Sequence, residues 1–464
     1  MNENIVCREL SKLTLGDERL NRRARKIVGS LSEDPQKSFA QAFSSEAHRE
    51  AFYRFVRNPN VEWSEVFKSH LLSSIERGCQ QEELLVLHDT TSFEFGPSTR
   101  EDLGWVSYQG ENFNSQGFFG HFALAVQSAQ DRLPVGIVGF EPYRRLEPPR
   151  RKRKSRLDNT RESTRWGRMV KAVEEKLSQK TTAIHVMDRE GDNYELLSQL
   201  YEEGSHFVIR LSHDRKLKSV DGCISDALNE TPWICHREVK LSTRKKEKGD
   251  HRQKRFPERK KRIAKLGFRA ASVEIKRSDK APASMNRSLE LNVVHAYEID
   301  PKEGETPVDW KLFTTEPIKT EEDILKIVDI YRARWLIEEY FKALKTGCSY
   351  EKRQLESYQT LLNALALLIP IAWQLLLLRH LSRTYEKHLA QEYFTKSELF
   401  ILSRKADYKM PDTPTIRDAF LAVAALGGHI KNNGDPGWLV LMRGFDKLLT
   451  LEIGYHLATE RCDQ

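Results

Sequence analysis

Short apolar runs recur through the middle of the chain, beginning at residue 84. They cover residues 84–89, 121–126, 133–140, 182–188 and 206–212. Runs of this length, bounded by Gly-rich or polar turns, predict strands. Segments with a helical pattern, at 169–177 and 194–204, separate the last three runs. Three strands followed by alternating helices and strands predict an α/β sheet with an antiparallel start.

Helical sequence flanks this region on both sides. Residues 1–72 interleave apolar positions with basic ones such as Arg19, Arg22 and Arg23, and the pair Asn58-Pro59 reads as a turn. This predicts a small basic helical bundle, and a plain structural bundle or a DNA-end-binding module would account for it equally well. Residues 373–464 predict a separate helical domain, of a kind that most often packs or dimerises.

The middle region contains two further features. Residues from about 213 to 316 are mostly strand-like, which predicts a β-rich insertion within a domain that spans 73–372. The apolar stretch 361–378 contains Asn363, Pro370 and Gln374. It therefore predicts a buried helix and not a membrane span.

A helix between these two features carries a charged row beside an apolar one. The row comprises Tyr331, Arg334, Glu338, Lys342 and Lys345. At about 100° per residue all five fall within roughly 80° of arc on one helix. A carboxylate among cations suits a site where a metal-binding acid works beside nucleic-acid phosphates.

Net charge supports a polyanionic partner. Lys plus Arg total 75 against 67 Asp plus Glu, so the formal charge is 75 − 67 = +8. Much of the basic character lies in two runs, at 144–156 and 244–262. Either run alone could be a solvated loop, but two of them favour nucleic acid.

The cysteine pattern and the N-terminal sequence indicate the cellular compartment that we expect for the protein. The six cysteines are scattered without a CxxC pair or a Cys/His cluster, so neither a zinc site nor a disulfide framework is expected. The N-terminal sequence lacks the apolar core of a signal peptide. We expect a cytoplasmic protein, associated with the nucleoid when it is bound to DNA.

Three acids are candidates for catalysis. Asp89 and Asp188 each end an apolar run, which predicts that both lie at strand tips where a carboxylate can face a cleft, and Glu338 lies in the charged row. Three carboxylates suffice to hold Mg²⁺, which prefers hard oxygen ligands. Ordinary ion pairs would also explain them, with Arg189 next to Asp188, and Arg334 or Lys342 near Glu338.

These residues carry a family resemblance. The pattern Y-x2-R-x3-E-x6-K, together with DREGD at 188–192 and HDTTSFEF at 88–95, resembles the IS-four family of bacterial cut-and-paste transposases, which contains the Tn-five transposase. The likeness extends to LGDERLNRRARKIVGSL near the N-terminus, DWKLFTTEPI at 309–318 and DPGW near the C-terminus. The two basic runs match no family motif.

The resemblance implies a ribonuclease-H-like catalytic core interrupted by a β-rich insertion. It makes Asp89, Asp188 and Glu338 the ligands of two Mg²⁺ or Mn²⁺ ions. It also implies that Trp310 stacks on a base flipped out of a DNA hairpin. Further DNA contacts are implied for the remaining positions that match, which are Tyr331, Arg334, Lys342, Lys345, Arg189 and Arg210.

The implied activity is cut-and-paste transposition. The enzyme would bind the inverted repeats at the transposon ends, nick them, excise through a hairpin and join the 3′-ends to target DNA. It would act as a homodimer in a synaptic complex. Two alternatives remain at this point: a catalytically idle DNA-binding regulator, and a stand-alone metal-dependent nuclease of the same fold.

Overall fold

The computed structural model describes the chain as far as residue 430 with gaps, and intermittently beyond. The described residues are 8–33, 38–39, 41–43, 45–96, 100–109, 112–129, 131–146, 161–177, 179–218, 221–241, 243, 258–352, 355–384, 388–430, 436–437, 440–441, 443–445, 447–448, 451–452, 454–455 and 458. Most of each basic run lies outside these residues, so the prediction that the runs bind nucleic acid stays a prediction.

Three helices precede the first strand: α1 (Glu18–Glu33), α2 (Glu46–Val56) and α3 (Trp63–Gly78). Ile27, Val28 and Leu31 of α1 are buried, and its basic residues lie on the other side. Ser45 caps α2 by accepting a hydrogen bond from the backbone N–H of His48. The structure thus has the helical N-terminal region that the sequence predicts.

A buried ion-pair network within this helical region also reaches the rest of the molecule. The Glu9 carboxylate contacts Arg77 Nη1 and His70 Nδ1, each at 2.6 Å, and Arg77 Nε donates to the backbone carbonyl of Val135, in the apolar run 133–140, at 2.8 Å. Asn363, in the apolar stretch near residue 370, donates through Nδ2 to two carbonyls at and beyond the end of α2, at 2.9 Å each. The N-terminal helices are therefore docked through specific polar contacts as well as apolar packing.

The centre of the molecule is one mixed sheet with helices packed against it. The strands are β1 (Glu83–Glu94), β2 (Gly104–Gln109), β3 (Asn112–Gln127), β4 (Pro134–Tyr143), β5 (Thr182–Met187), β6 (His206–Arg210), β7 (Cys235–Leu241), β8 (Arg262–Lys276), β9 (Ser288–Glu298) and β10 (Asp309–Thr314). Helices α4 (Arg165–Glu174) and α5 (Tyr194–Glu203) connect β4, β5 and β6. This is the predicted alternation, with the added strand β2.

The strand order places the candidate acids near the middle of the sheet. The order is β2-β3-β1-β5-β6-β10-β9-β8-β7, with β4 also paired to β3. β1, β5 and β6 are parallel, whereas β3 is antiparallel to β1 and to β4. This mixed α/β arrangement is consistent with a ribonuclease-H-like domain.

The predicted β-rich segment does not form a sheet of its own. It contains helix α6 (Ile224–Glu230) and the strands β7 to β10, and β10 pairs with β6 on one side and β9 on the other. The segment therefore extends the central sheet, because β10 supplies the partner that the edge of β6 would otherwise lack.

The charged row lies on two successive helices instead of one. Helix α7 (Glu321–Ala333) ends at Arg334, α8 (Trp335–Lys342) follows at once, and a π-helical turn covers Ala343–Gly347. Since the turn geometry changes twice, the regular 100° spacing assumed for the row holds only locally.

The long helix α9 (Tyr358–Thr384) corresponds to the predicted buried helix. Its residues 358–381 are long and apolar enough to cross a bilayer by composition alone, but 83% of the most apolar window is buried inside the protein. Two further helices, α10 (Lys396–Lys405) and α11 (Ile416–Leu426), form a small apolar cluster of their own, as expected for a helical C-terminal region.

Candidate active site

Asp89 lies within a strand and not at its tip, which corrects the sequence-based expectation. β1 continues to Glu94, but its pairing with β5 ends at Leu87↔Val186. Asp89 is therefore two residues beyond the last parallel pair, where β1 is held only by β3. Its Oδ1 accepts a hydrogen bond of 2.7 Å from the backbone N–H of Thr90.

Asp188 is at the predicted position, directly after β5. Its side chain accepts a 2.8 Å hydrogen bond from the backbone N–H of Glu190 and so caps a short 3-10 helix, Arg189–Gly191. Arg189 and Glu190 are both exposed on this turn. The cap fixes the Asp188 carboxylate at the carboxyl end of β5, beside β1.

Arg334 connects the other two acids. Its Nη1 donates to Asp89 Oδ2 at 2.9 Å and its Nη2 donates to Glu338 Oε1 at 2.7 Å. The Arg334 side chain is only 14% exposed, so both ion pairs are shielded from water. The expected i,i+4 pair of Glu338 is thus real, but it coexists with a contact to Asp89 that lies 245 residues away.

The carboxylates influence one another electrostatically. Burial raises the pKa of Asp89, Arg334 lowers it, and the negative charges of Asp188 and Glu338 raise it, so that it reaches about 7. The ordinary pKa of an aspartate is 3.8. Asp188 and Glu338 therefore both lie close enough to Asp89 for their charges to act on it.

The donor chemistry fits divalent cations, although the spacing does not yet form a site. Three carboxylates supply the hard oxygen ligands that Mg²⁺ or Mn²⁺ prefers, and only one arginine offsets their charge. Within the described residues, however, no group of three or more histidine, cysteine or carboxylate side chains is spaced to hold a metal ion. In this conformation the guanidinium of Arg334 is the cation between Asp89 and Glu338.

Trp310 lies beside this site on β10. Its ring meets the ring of Tyr331 edge-on, with centroids 5.3 Å apart and an interplanar angle of 71°. The guanidinium of Arg210 is 5.9 Å from the centroid of Trp310, and Arg210 Nη2 donates to the backbone carbonyl of Asp309 at 3.1 Å. Trp310 is half-buried, so one part of the indole remains open to solvent.

The predicted phosphate-binding row is only partly exposed. Tyr331 is 6% exposed, and burial raises its pKa, so it lies beneath Trp310 and not on the surface. Lys342 is about half-exposed and lies 5.1 Å from the centroid of the Trp335 ring. Lys345 lies on the π-helical turn, where its Nζ is 3.3 Å from Glu351. The row thus combines a buried ring with two accessible lysines.

Sequence reasoning missed a buried histidine cluster on the other face of β1. His88 Nε2 lies 2.8 Å from His185 Nδ1, and His121 Nδ1 lies 2.9 Å from Thr90 Oγ1. Burial lowers the pKa of His88 and His121. Strand alternation could have placed His88 opposite Asp89, but its partners come from other strands.

Sequence reasoning also missed Trp335, which directly follows Arg334 and is 53% exposed. A large ring that open to solvent is unusual next to a buried ion pair. The sequence shows that Trp335 directly follows Arg334, but its exposure depends on how the helix packs against the rest of the fold, which local sequence does not show.

The N-terminal region presents a basic groove far from these acids in sequence. It is lined by Arg19, Arg22, Arg23, Lys26 and His48, among others. Lys26 Nζ lies 3.0 Å from His48 Nε2, so α1 and α2 both contribute. Several cations on one helical face are suited to contacts with a phosphate backbone.

Comparison with family models gives two matches. Residues 2–61 match the model described as transposase DNA-binding, and residues 155–373 match the model described as transposase DDE domain. The second range contains Asp188, Trp310 and Glu338, whereas Asp89 lies upstream of it. The chain carries a DNA-binding domain and a DDE domain of transposases, and together they support a DNA transposase.

Proposed function

We propose that this protein, with its transposase DNA-binding and DDE domains, is a cut-and-paste transposase of the IS-four type, similar to the Tn-five transposase. It would bind the inverted repeats at the transposon ends, nick them, excise the element through a DNA hairpin and join the 3′-ends to target DNA. The observation that supports the proposal is that Arg334 pairs with Asp89 and Glu338, while the charges of Asp188 and Glu338 both act on Asp89.

The three acids are assigned the metal-binding role. Asp89, Asp188 and Glu338 would hold two Mg²⁺ or Mn²⁺ ions, which supply activation of the attacking oxygen and stabilisation of the leaving oxygen. The Asp188 cap orients its carboxylate before any cation binds. In the metal-free protein Arg334 holds Asp89 and Glu338 in place, and this arginine is available to a phosphate once either carboxylate is engaged elsewhere.

Other side chains are assigned to the DNA end. Lys342, Lys345 and Arg189 would contact phosphates, since each adds a positive charge near the acids. Trp310 would stack on an unpaired base of the hairpin, with Arg210 beside the ring. Tyr331 would support Trp310 from below and not touch a phosphate itself, because it is buried.

Two subunits would act together. The IS-four resemblance implies a homodimer that pairs two transposon ends, and the helices α10 and α11 are the natural candidates for the dimer contact. The N-terminal basic groove on α1 and α2 would hold each inverted repeat while the acids work on its terminus.

A strand-transfer assay tests the proposal. Purified protein, Mg²⁺ and a labelled duplex with the inverted repeat that flanks the gene should yield nicked, hairpin and joined products. Binding without cleavage would instead indicate a regulator, and cleavage without joining would indicate a nuclease.

An Asp188→Asn variant sharpens this assay. It should bind the end normally and fail to nick, because the fold keeps its cap geometry but loses one carboxylate. Asp221→Asn changes an exposed aspartate ahead of α6 and should nick at the wild-type rate. Normal nicking by Asp188→Asn would remove Asp188 from the site.

A further inference from the structure

Three arginines from distant parts of the chain surround one aspartate on the outer side of α7. Asp329 accepts two hydrogen bonds of 2.8 Å from Arg237 on β7 and one of 2.9 Å from Arg332 on the same helix. Arg132, in the turn between β3 and β4, lies within electrostatic range of all three of these residues. We name Arg132, Arg237 and Arg332 the arginine cluster.

The cluster has more positive charge than its internal pairing needs. Three guanidinium groups face one carboxylate, so the balance is +2. Arg383, near the end of α9, lies close enough to affect His380, as Arg132 does, and the turn also carries Asp131. Arg383 adds one positive charge and Asp131 one negative charge, so the net charge of the group remains +2. A protein gains nothing in stability from an uncompensated excess of this kind, because like charges repel.

Arg132 is held in an unfavourable backbone conformation. Its φ is +50°, in the left-handed region where glycine or asparagine is usual. A left-handed arginine is a local cost, and it brings the Arg132 guanidinium into electrostatic range of Arg237 and Arg332. Strain of this kind at a charged turn indicates a residue retained for an interaction.

The cluster can be reached from solvent. The side chain of Arg332 is 46% exposed and that of Arg237 is 27% exposed. Guanidinium groups from three separate elements are better suited to a row of spaced phosphates than to one small anion in a pocket.

The position of the cluster separates it from the cleaved DNA end. Arg334 pairs with Asp89 and Glu338 and is 14% exposed, whereas Arg332 pairs with Asp329 and is 46% exposed. The two arginines are two residues apart, yet their guanidinium groups have different carboxylate partners. The arginine cluster therefore has ion pairs separate from those of the candidate active site.

On these grounds, and resting on the proposed function, we propose that the arginine cluster binds the phosphate backbone of a second DNA duplex, distinct from the end cut in the same subunit. Duplex DNA is the partner that fits, because arginines spread over three elements can make electrostatic contact with successive phosphates of one backbone. The DNA captured for joining would be such a duplex.

The test compares full-length Arg132→Gln/Arg332→Gln with the wild type and with Arg404→Gln, which removes an arginine from α10. Binding of a duplex without the inverted repeat is measured against salt concentration. Each lost phosphate contact should reduce the slope of log K against log salt by about 0.9, so the double variant should lose roughly 1 to 2. Arg132→Lys/Arg332→Lys keeps the charge and should restore most of the slope.

Nicking of the inverted-repeat end and joining to a target plasmid are followed in parallel. The double variant should nick at the wild-type rate and join several-fold less. An unchanged slope with unchanged joining would overturn the proposal while leaving the transposase assignment intact. Loss of inorganic phosphate binding without any change in the DNA slope would also overturn it.

Failure of the wild type to nick would count against the proposed function, and the salt slope would still report on the arginine cluster. Thermal unfolding of every variant shows whether the fold is retained. If the glutamine variant unfolds early, the lysine variant and the single Arg332→Gln variant carry the comparison, since Arg332 is half-exposed.

Discussion

Replacing Asp89 by asparagine should make the metal-free protein relatively more stable as pH rises. The pKa of Asp89 in the folded protein is about 7, against an ordinary value of 3.8, because burial and the charges of Asp188 and Glu338 outweigh Arg334. A pKa difference of about 3 corresponds to about 4 kcal/mol at 1.36 kcal/mol per pKa unit. Ionising Asp89 in the fold thus costs up to about this much.

The sign follows from proton linkage. Below about pH 4 Asp89 is protonated in both the folded and the unfolded chain, so it has no effect on the pH dependence. Between about pH 4 and pH 7 the unfolded chain releases this proton while the folded one keeps it, and stability falls as pH rises. Above pH 7 the full cost is present. Asparagine does not titrate, so the free energy of unfolding of the variant does not fall in this way as pH rises.

Urea unfolding in EDTA, from pH 4.5 to pH 8, measures this difference. The free energy of unfolding of Asp89→Asn, relative to wild type, should rise across the range by up to about 4 kcal/mol. Asp418→Asn is the matched control, because hydrogen bonds from Thr415 and Tyr408 outweigh burial and lower the pKa of Asp418. Replacing Asp418 should cause a loss that stays constant from pH 4.5 to pH 8, because the stabilisation by a carboxylate of lowered pKa is lost only below its ordinary pKa of 3.8.

Mg²⁺ adds a second arm to this experiment. At pH 8 it should stabilise the wild type and stabilise Asp89→Asn much less, because the variant lacks one proposed ligand. It also lacks the buried negative charge of Asp89, which a bound cation would neutralise. Parallel pH curves for wild type and Asp89→Asn would refute the reasoning that the three acids share one field. Equal stabilisation of both proteins by Mg²⁺ would refute the role of Asp89 as a ligand.

Two further predictions concern Trp310 and Glu9. Trp310→Ala should nick transposon ends yet accumulate little hairpin, since an unpaired base loses a stacking contact of about 1 to 3 kcal/mol. Trp310→Phe keeps an aromatic ring and should recover part of the hairpin yield. Unchanged hairpin formation by Trp310→Ala on a gel would contradict the assignment. Glu9→Gln should lower the unfolding free energy by about 3 kcal/mol near neutral pH, because the pKa of Glu9 falls from 4.5 to about 2 in the fold and each pKa unit corresponds to 1.36 kcal/mol. Burial raises the pKa of Glu9 but His70 and Arg77 lower it to about 2, so this loss should fade as pH falls from 4.5 toward 2 in urea titrations. The exposed Glu65→Gln is the control, and an equal effect of both variants would contradict the prediction.

The strands and helices were largely predictable because local pattern dictates them. The apolar runs ahead of Asp89 and Asp188 became β1 and β5, and the stretch around Pro370 became the buried helix α9. The sequence analysis did not predict β2, because apolar and polar residues do not clearly alternate in GWVSYQ. The segment forms a strand by pairing with β3. The tip position assigned to Asp89 was wrong for a related reason, since pairing with β3 carries β1 on to Glu94.

The arrangement of the charged row was less predictable. Spacing placed Arg334 and Glu338 on one helical face, and their 2.7 Å ion pair agrees with that. Nothing in the local sequence indicates that the helix breaks at Arg334, that Tyr331 is buried under Trp310, or that β10 joins β6 and β9 in one sheet. Each depends on contacts between residues far apart in the chain, which a periodic pattern does not contain.

The charge balance around Arg334 connects stability with the proposed chemistry. The pKa of buried Asp89 is raised to about 7 despite a 2.9 Å contact with Arg334, so ionised Asp89 lowers the stability of the fold. Asparagine at this position would not have that cost. The charges of Asp188 and Glu338 both raise that cost, and added positive charge would lower it, which is the electrostatic condition that the proposed binding of divalent cations requires. In the proposed reaction Asp89 and Glu338 would hold the cations, and Arg334 would then be available to phosphate oxygens. The same charge imbalance that lowers the stability of the fold above pH 7 would therefore favour the proposed cation binding.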